Sequence, residues 1–203
     1  MTAHSVKRHR REGAHNRRQV VAVIGSGETA DPQCEEVGRL IARLGCDLLT
    51  GGGGGAMAAV SRAFFETSPR KGIVIGIVPG AVDPLAALEE RNDSAVEYKV
   101  WPGYPNDWVE LAIYTHLPDS GREGTQRSSR NHINVLSADA IVALPGREGT
   151  ESEAWLATQY GVPIVAYGEH GDVMPAGIPL ARSLTEVRAF LARHVGPNAR
   201  TNR

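Results

Sequence analysis

A Pro-Gly turn with a nearby carboxylate is the feature of this chain best suited to chemistry. Residues 144–153, LPGREGTESE, pass from an apolar stretch through the turn into a stretch of helical character. A helix N-terminus at such a turn leaves backbone N–H groups unpaired, and these bind phosphate or carboxylate groups. Glu153 follows one helical turn later, where its carboxylate can act on a bound ligand. The predicted ligand-binding residues of this turn are Pro145, Gly146, Arg147, Gly149 and Thr150.

A run of five glycines provides a second predicted anion-binding turn. Residues 48–57, LLTGGGGGAM, again lead from an apolar stretch through glycines into a helical stretch. Glycine allows positive φ and lets a ligand approach the backbone without meeting a Cβ atom. Because a predicted strand and a predicted helix flank the run, a phosphate cradle is favoured over a flexible turn. The predicted ligand-binding residues here are Gly51, Gly52, Gly53, Gly54, Gly55 and Met57.

A third glycine segment, Gly25-Ser26-Gly27, formally matches the beginning of a dinucleotide-binding fingerprint. That fingerprint needs a helix that starts within the glycines and an acidic residue after the second strand. Here Asp31-Pro32 delays the helix and Thr50 ends the strand, which disfavours an NAD-dependent dehydrogenase. A Walker-type loop is excluded because no Lys-Ser/Thr pair follows the five glycines. Gly25 and Ser26 are predicted to bind ligand at the same sheet edge.

Alternating apolar and amphipathic segments must position these turns. They predict strands over 19–25, 46–50, 72–78, 96–101, 109–114, 139–144 and 163–167, although 107–114 also fits a helical turn. Helices are predicted over 32–44, 56–65, 127–136 and 150–160, and from a capping box at 183–186 to about 195. This alternation predicts an α/β fold, a doubly wound parallel sheet of about six or seven strands with helices on both faces. Ligands of such sheets bind beyond the carboxyl ends of the strands, so both turns can face one crevice.

Composition and charge limit the class of protein. The 203 residues carry a net charge of −1, but 16 basic and 22 acidic residues follow position 18, which leaves the body acidic. We predict a basic disordered leader over 1–18, one nucleotide-binding domain over 19–195 and a disordered tail over 196–203. An acidic body argues against extended nucleic-acid binding, apart from the leader.

Other classes are disfavoured by what the sequence lacks. Cys34 and Cys46 are the only cysteines, too few for a disulfide framework or a zinc site, which favours a reducing cytoplasm. The histidines are scattered, and no metal site is predicted. The longest apolar stretch is too short to span a bilayer, so no membrane association is expected.

Structural interpretations compete with the functional ones. Thr150 is expected to cap its helix, and Thr150-x-x-Glu153 also fits a capping box in which Glu153 only accepts a bond from a backbone N–H. Trp101, Trp155 and Tyr160 are expected in the core or in a dimer contact rather than stacked on a base. The sequence GREGT occurs twice, at 121–125 and 146–150, and this short echo is interpreted as coincidence.

The two glycine segments together resemble the paired motifs of the SLOG superfamily, which includes the Lonely Guy (LOG) cytokinin-activating phosphoribohydrolases and the molybdenum-cofactor carrier proteins. The second segment is similar to the family pattern Pro-Gly-Gly-x-Gly-Thr-x-x-Glu, with Arg147 where a glycine is usual. The resemblance runs from about Val20 to Tyr167. It implies a modified Rossmann fold, usually a homodimer, that binds a nucleoside monophosphate or a pterin phosphate.

The resemblance also implies roles for individual residues. Glu153 corresponds to the glutamate that acts at the ribose in LOG enzymes, and Arg130 falls at the spacing of the arginine that works with it. These two are therefore the candidate catalytic residues. The single glycine between Gly53 and Gly55, and Asn131 directly after Arg130, look more like the molybdenum-cofactor carrier branch.

The resulting prediction is binding of a small phosphate-bearing nucleotide or pterin ligand, in the manner of a molybdenum-cofactor carrier, by a cytoplasmic homodimer. The molybdenum cofactor is itself a candidate ligand. One alternative stays open in which the protein is a LOG-like phosphoribohydrolase. Such an enzyme would cleave the N-glycosidic bond of AMP or a cytokinin-type nucleoside 5′-monophosphate and would require no cofactor. A second alternative is a nucleotide-sensing regulatory protein with the same pocket.

Overall fold

The computed structural model describes residues 17–80, 100–170 and 174–195. Its strands are β1 (Val20–Ile24), β2 (Asp47–Thr50), β3 (Val74–Val78), β4 (Leu111–Tyr114), β5 (Ala140–Ala143), β6 (Ile164–Tyr167) and β7 (Leu180–Ala181). Its helices are α1 (Pro32–Leu44), α2 (Gly55–Phe65), α3 (Asn131–Ser137), α4 (Glu148–Tyr160) and α5 (Leu184–Val195), with a 3₁₀ turn at Gly121–Glu123.

All seven strands form one parallel sheet in the order β4-β3-β2-β1-β5-β6-β7. In register, Val21 of β1 pairs with Leu48 of β2 on one side and with Ala140 of β5 on the other. The chain builds the sheet outward from β1 in one direction and then returns to its other side. The predicted α/β Rossmann-like fold is confirmed, and its topological switch point lies between β1 and β5, where ligands of such sheets bind.

Helices cover both faces of the sheet, as predicted. Val21 and Val23 of β1 belong to a buried cluster that includes residues of α1, α2 and α5. Ala22 and Ile24, which point to the opposite face, belong to a second cluster with residues of α3 and α4. Because both faces are covered, the central strands are continuous apolar runs without a polar alternation.

Helix α1 packs closely against α2, the helix that follows the run of five glycines. A Cβ atom on Gly38 of α1 would lie 2.4 Å from the carbonyl oxygen of Val60 in α2, so the two helices approach to backbone contact there. Helix α1 starts at Pro32 after Asp31 in the cap position, as predicted, and stops at Gly45 with φ of 73°.

Several predicted boundaries differ from those observed. Residues 96–99 of the predicted strand 96–101 lie outside the described residues, Val100 makes only an antiparallel bridge with Gly80, and Trp101 is not in a strand. The helix predicted over 127–136 begins at Asn131. Of the predicted strand 109–114, the residues Leu111–Tyr114 form strand β4, and the helical alternative is wrong for them. Strand β7 was not predicted, because its two residues are too few to show a pattern.

The end of the predicted leader is tied to the sheet. The Arg17 guanidinium donates to both carboxylate oxygens of Asp139 at 2.8 and 3.0 Å, and Arg18 donates to Asp47 at 2.8 Å. The rest of the leader and the tail lie outside the described residues, and their disorder stays a prediction. No helix in the described ranges is long and apolar enough to cross a membrane. Trp101 and Trp155 are 52% and 45% exposed, so a core position is wrong for both.

Candidate functional site

A cavity of about 160 Å³ lies beyond the carboxyl ends of β1 and β2. Six of the predicted site residues line it, namely Gly25, Gly51, Met57, Arg130, Gly149 and Glu153. The other lining residues are Val23, Ile24, Gly27, Tyr104, Ser120, Gly121 and Asn131. The position agrees with the rule that doubly wound sheets bind ligands at this edge.

The three glycine segments are held together through the backbone of Ser26. Its N–H donates to the carbonyl oxygen of Pro145 at 3.0 Å, and its own carbonyl accepts from the N–H of Ala56 at 2.9 Å. Its hydroxyl accepts from the N–H groups of Glu28 and Thr29, both at 3.1 Å. Ser26 therefore joins the turn after β5 to the turn after β2, and each turn contributes a glycine to the cavity wall, Gly149 and Gly51.

Neighbouring groups occupy the space beside two glycines of the five-glycine turn, Gly53 and Gly55. A Cβ atom on Gly53 would lie 2.7 Å from the ring of Tyr104, and one on Gly55 would lie 2.5 Å from the carbonyl oxygen of Ser26. Gly55 also has φ of 57°. Asn106 donates from its backbone N–H to Gly52 at 2.7 Å and from its side-chain amide to Gly53 at 2.9 Å. The run is thus packed against neighbouring residues and hydrogen-bonded to Asn106.

Arg130 places a buried cation in the cavity. Its side chain is 5% exposed, and Nη1 donates to the carbonyl oxygen of Ile77 at 2.8 Å. Its guanidinium carbon lies 5.6 Å from the centroid of the Tyr104 ring, within reach of a cation–π contact. Its Nε is buried and has no hydrogen-bond partner among the described residues. A buried donor left unpaired costs about 1–3 kcal/mol, more when charged, and a bound anion would remove that cost.

Glu153 lies beside Arg130 and is held by Asn134, whose side-chain amide donates to Oε1 at 2.8 Å. Burial raises the pKa of the Glu153 carboxyl, while the Asn134 hydrogen bond and the Arg130 charge oppose that shift without cancelling it. The cavity thus holds a carboxyl with an increased affinity for a proton next to a permanent cation. A general acid or base has this environment, and so does a group that only positions the arginine.

The capping roles predicted for Thr150 and Glu153 are wrong. Helix α4 begins at Glu148, so Arg147 occupies the cap position and Thr150 is the third helical residue. Glu153 accepts from Asn134 and makes no capping bond. The Thr150 hydroxyl is buried without a partner among the described residues, and it fills the space that a Cβ atom on Gly146 would need, at 1.9 Å.

The remaining predicted ligand-binding residues frame the cavity without lining it. Pro145 and Gly146 form the second turn with Thr150 behind it, and Gly54 occupies the cap position of α2. Arg147 is 81% exposed at the side chain and donates to Glu28 at 3.2 Å, outside the lining. The predicted residues that do not line the cavity are Ser26, Gly52, Gly53, Gly54, Gly55, Pro145, Gly146, Arg147 and Thr150.

Tyr104, Ser120, Gly121, Asn131 and Asn134 were not predicted as site residues. Asn134 carried a usable signal, because it follows Arg130 by four residues on a predicted helix and so shares its face. Tyr104 and Ser120 carried none, since only the tertiary fold brings their loops to the glycine turns.

The described residues contain no group of three or more His, Cys, Asp or Glu side chains placed to hold a metal ion. Both cysteines are buried and unpaired. Burial raises the pKa of Cys46 to about 11 and that of Cys34 in the same direction, so both thiols stay protonated near neutral pH.

Fold and cavity together define a Rossmann-like protein with a cavity at the carboxyl edge of its parallel sheet. The sequence profile of the SLOG cluster4 family matches residues 18–189, and the chain therefore belongs to this family. A protein of Archaeoglobus fulgidus is 30% identical over 149 residues, which cover 70% of this chain and 74% of the archaeal one. The predicted family resemblance is confirmed.

Solved structures agree with this assignment. The molybdenum cofactor binding protein of the phototrophic bacterium Rippkaea orientalis superposes with a TM-score of 0.60 at 26% identity, covering 86% of this chain and 98% of that one. The molybdenum cofactor carrier protein of Chlamydomonas reinhardtii gives 0.61 at 26% identity, covering 88% and 98%. DNA processing protein A of Helicobacter pylori gives 0.58 at 14% identity, covering 86% and 80%, and shows the fold alone. The likeness to the two molybdenum cofactor proteins supports a ligand-binding role for the chain.

Proposed function

We propose that the protein binds a nucleotide or pterin ligand through a phosphate group placed at Arg130, between the two glycine turns, and that it acts as a molybdenum-cofactor carrier. The observation that carries this proposal is the buried Arg130 guanidinium, whose Nε faces no protein acceptor among the described residues. Arginine binds phosphate in a bidentate manner more favourably than other side chains do. A phosphate at this position satisfies the donor that the protein leaves unpaired.

The surroundings of Arg130 favour an anion over a cation or a neutral group. The positive end of α4, which is 13 residues long, lies at the same edge of the sheet. The one carboxyl that lines the cavity, Glu153, has a raised pKa and so opposes an anion less than an ordinary carboxylate would.

The size of the cavity limits which part of the ligand it holds. Sites that enclose a whole drug-sized ligand have volumes of about 300–1,000 Å³. The cavity at Arg130 has about 160 Å³, enough for a phosphate and part of its ester but not for a nucleotide or pterin as a whole. The ring system of the ligand therefore lies toward the mouth of the cavity.

The residues fit the phosphate of the molybdenum cofactor. Arg130 supplies an unpaired donor at the cavity that Gly51 of the first turn and Gly149 of the second turn line. In a carrier the cofactor is cargo and supplies its redox-active metal to a recipient enzyme. This chain's own residues would bind its phosphate and exclude water from it.

A phosphoribohydrolase is the second candidate, favoured by the position of Glu153 beside Arg130. Cleavage of an N-glycosidic bond passes through an oxocarbenium-like state that an ionised carboxylate stabilises. The raised pKa of Glu153 works against that role, because a larger fraction of the carboxyl stays protonated. Carrier function needs no ionised carboxylate, which is why we rank it first.

Mass spectrometry of the ligand released by denaturing the purified protein tests the carrier proposal. We expect a phosphate-bearing pterin, or its oxidised fluorescent form, in wild type and in Arg127→Gln, and its loss in Arg130→Gln. Arg127 is exposed and three residues away, so it controls for the change of charge. A phosphate-free ligand, or equal recovery from both variants, would contradict the proposal.

Assay of free base released from AMP and isopentenyl-AMP tests the hydrolase candidate. Turnover that Glu153→Gln abolishes would establish the enzyme and displace the carrier as the primary function. Absence of release at high concentrations of wild-type protein would remove the hydrolase.

We further propose that the protein is a cytoplasmic homodimer. Leu111, Ile113 and Tyr114 of the edge strand β4 are 40–53% exposed, and exposed apolar edge strands are usually covered by a partner. Buried, unpaired cysteines suit a reducing compartment. Light scattering should give twice the mass of the chain, and a monomer at all concentrations would overturn the dimer.

A further inference from the structure

We infer that the two copies of Gly-Arg-Glu-Gly-Thr form a charged rim around the mouth of the cavity, and that Arg122 and Arg147 bind a second phosphate. The ligand class that fits is an ester of diphosphate, with one phosphate at Arg130 and the next at the rim. This inference rests on the proposed function, since it extends the ligand from the same site.

The two copies are far apart in sequence but adjacent in the fold. A Cβ atom on Gly149 would lie 3.8 Å from Cα of Gly121, and both glycines line the cavity. The hydroxyl of Ser152 donates to the carbonyl oxygen of Gly121 at 2.8 Å and ties the first copy to α4. The arginine of the first copy, Arg122, donates from Nε to the glutamate of the second copy, Glu148. The two copies of GREGT therefore contact each other in the folded protein.

The arginine of the second copy makes a separate ion pair. Arg147 pairs with Glu28, which directly follows the cavity-lining Gly27. The rim thus carries Glu28, Arg147, Glu148 and Arg122 in alternating charge. Each of these residues is adjacent in sequence to a glycine of the cavity wall or, for Arg147, lies two positions from one.

Both ion pairs are exposed enough to exchange partners. The side chains of Arg122 and Glu148 are 83% and 48% exposed, and those of Arg147 and Glu28 are 81% and 73% exposed. Exposed pairs contribute little to stability, whereas an arginine gains more from a bidentate phosphate. A diphosphate that reaches the rim can therefore displace Glu28 and Glu148 toward solvent and take over their arginines.

A different interpretation is that the two ion pairs only stabilise the loops and bind no ligand. The two roles predict opposite behaviour for the acidic partner. If Arg147 binds phosphate, removing the charge of Glu28 frees the arginine and strengthens diphosphate binding. If the ion pair is only structural, loss of either Glu28 or Arg147 removes the same contact. Both variants should then weaken diphosphate binding.

Calorimetry with inorganic phosphate and inorganic pyrophosphate at low ionic strength, in the presence of a chelator, separates these roles. The informative quantity is the ratio of the two dissociation constants. In Arg122→Gln/Arg147→Gln we expect that ratio to fall about tenfold, because charge-assisted hydrogen bonds to the second phosphate are lost, while the phosphate affinity stays within about twofold. Glu28→Gln should raise the ratio, and Arg127→Gln, an exposed arginine that belongs to neither ion pair, should leave it unchanged.

Each outcome bears on a stated claim. An unchanged ratio in the double variant, or a ratio lowered by Glu28→Gln as well, overturns the rim proposal and leaves the phosphate site at Arg130 in place. If wild-type protein binds neither anion, the proposed function itself fails, and the rim proposal fails with it.

Discussion

The guanidinium of Arg130 occupies the space that a side chain at position 51 would need. A Cβ atom on Gly51 would lie 2.5 Å from Nη1 and 2.9 Å from Nη2 of Arg130. Position 51 thus requires a glycine, because the guanidinium of Arg130, the residue just before α3, lies against it. This relationship links the glycine run, which the sequence shows, to the arginine, whose role the glycine run alone does not reveal.

Replacement of Gly51 by Ala should therefore disable phosphate binding while keeping the fold. The added methyl group meets the far end of a flexible side chain, which can move, so we expect only a small change in the midpoint of thermal unfolding. The displaced guanidinium no longer lies in the position from which it donates to the phosphate. The affinity for inorganic phosphate should therefore fall at least about tenfold. Calorimetry and thermal unfolding of the same sample measure both quantities. Unimpaired phosphate binding would show that Arg130 does not need its observed position.

Thr150→Val should make the protein more stable and weaken its binding of phosphate. The Thr150 hydroxyl is buried and unpaired among the described residues, and valine has nearly the same shape without the polar group. We expect the free energy of unfolding to rise by about 1 kcal/mol, which corresponds to about 2–4 °C for a chain of this size. Phosphate affinity should fall about fivefold if the hydroxyl donates to the ligand. A variant that is both less stable and equally able to bind would contradict this assignment.

The pH dependence of stability reports on Glu153. Its pKa is higher in the folded protein than in the unfolded chain, so its favourable contribution is complete below the ordinary glutamate range and is lost as pH rises through the folded pKa. Glutamine can keep the bond from Asn134 without titrating. Relative to Glu153→Gln, wild type should therefore lose unfolding free energy as pH rises from the ordinary glutamate range, about pH 4, toward neutral pH. Denaturant titrations across this range measure the difference in unfolding free energy between wild type and Glu153→Gln. A difference that stays constant, or that grows in favour of wild type as pH rises, would contradict this prediction.

Gly38→Ala tests how α2 is positioned. Its added Cβ would lie 2.4 Å from the backbone oxygen of Val60, and the helices must separate to admit it. Overpacking of this kind costs about 1–3 kcal/mol, more than the roughly 1 kcal/mol that alanine gains over glycine in a helix. Chemical denaturation should show the loss, whereas Arg39→Ala on the exposed side of α1 should change stability by no more than about 0.5 kcal/mol. Equal stability of Gly38→Ala and wild type would mean that the close contact is not needed.

The fold was predictable because its central strands are buried on both faces and therefore appear as uninterrupted apolar runs. Asp31, Pro32 and Gly45 marked the ends of α1 correctly, since their backbone preferences are local. Strand β7 could not be recognised, because pairing with β6 is what defines its two residues.

The site was predictable only in part. The glycine turns and Arg130 were identified, but which glycines line the cavity depends on where Tyr104 and Arg130 approach them. Thr150 was assigned a capping role from its residue type, whereas α4 starts two residues earlier. Contacts between segments far apart in sequence, such as Arg122 with Glu148, left no local pattern.

Binding of inorganic phosphate to wild type, Arg130→Gln and Arg127→Gln, measured by calorimetry at low ionic strength, tests the central claim most directly. Low salt is needed because screening weakens the electrostatic part of the affinity. The buried Arg130 is predicted to dominate, so that Arg130→Gln lowers the affinity by about tenfold to a hundredfold while Arg127→Gln stays near wild type. Equal phosphate binding by Arg130→Gln and wild type would contradict a phosphate site between the glycine turns.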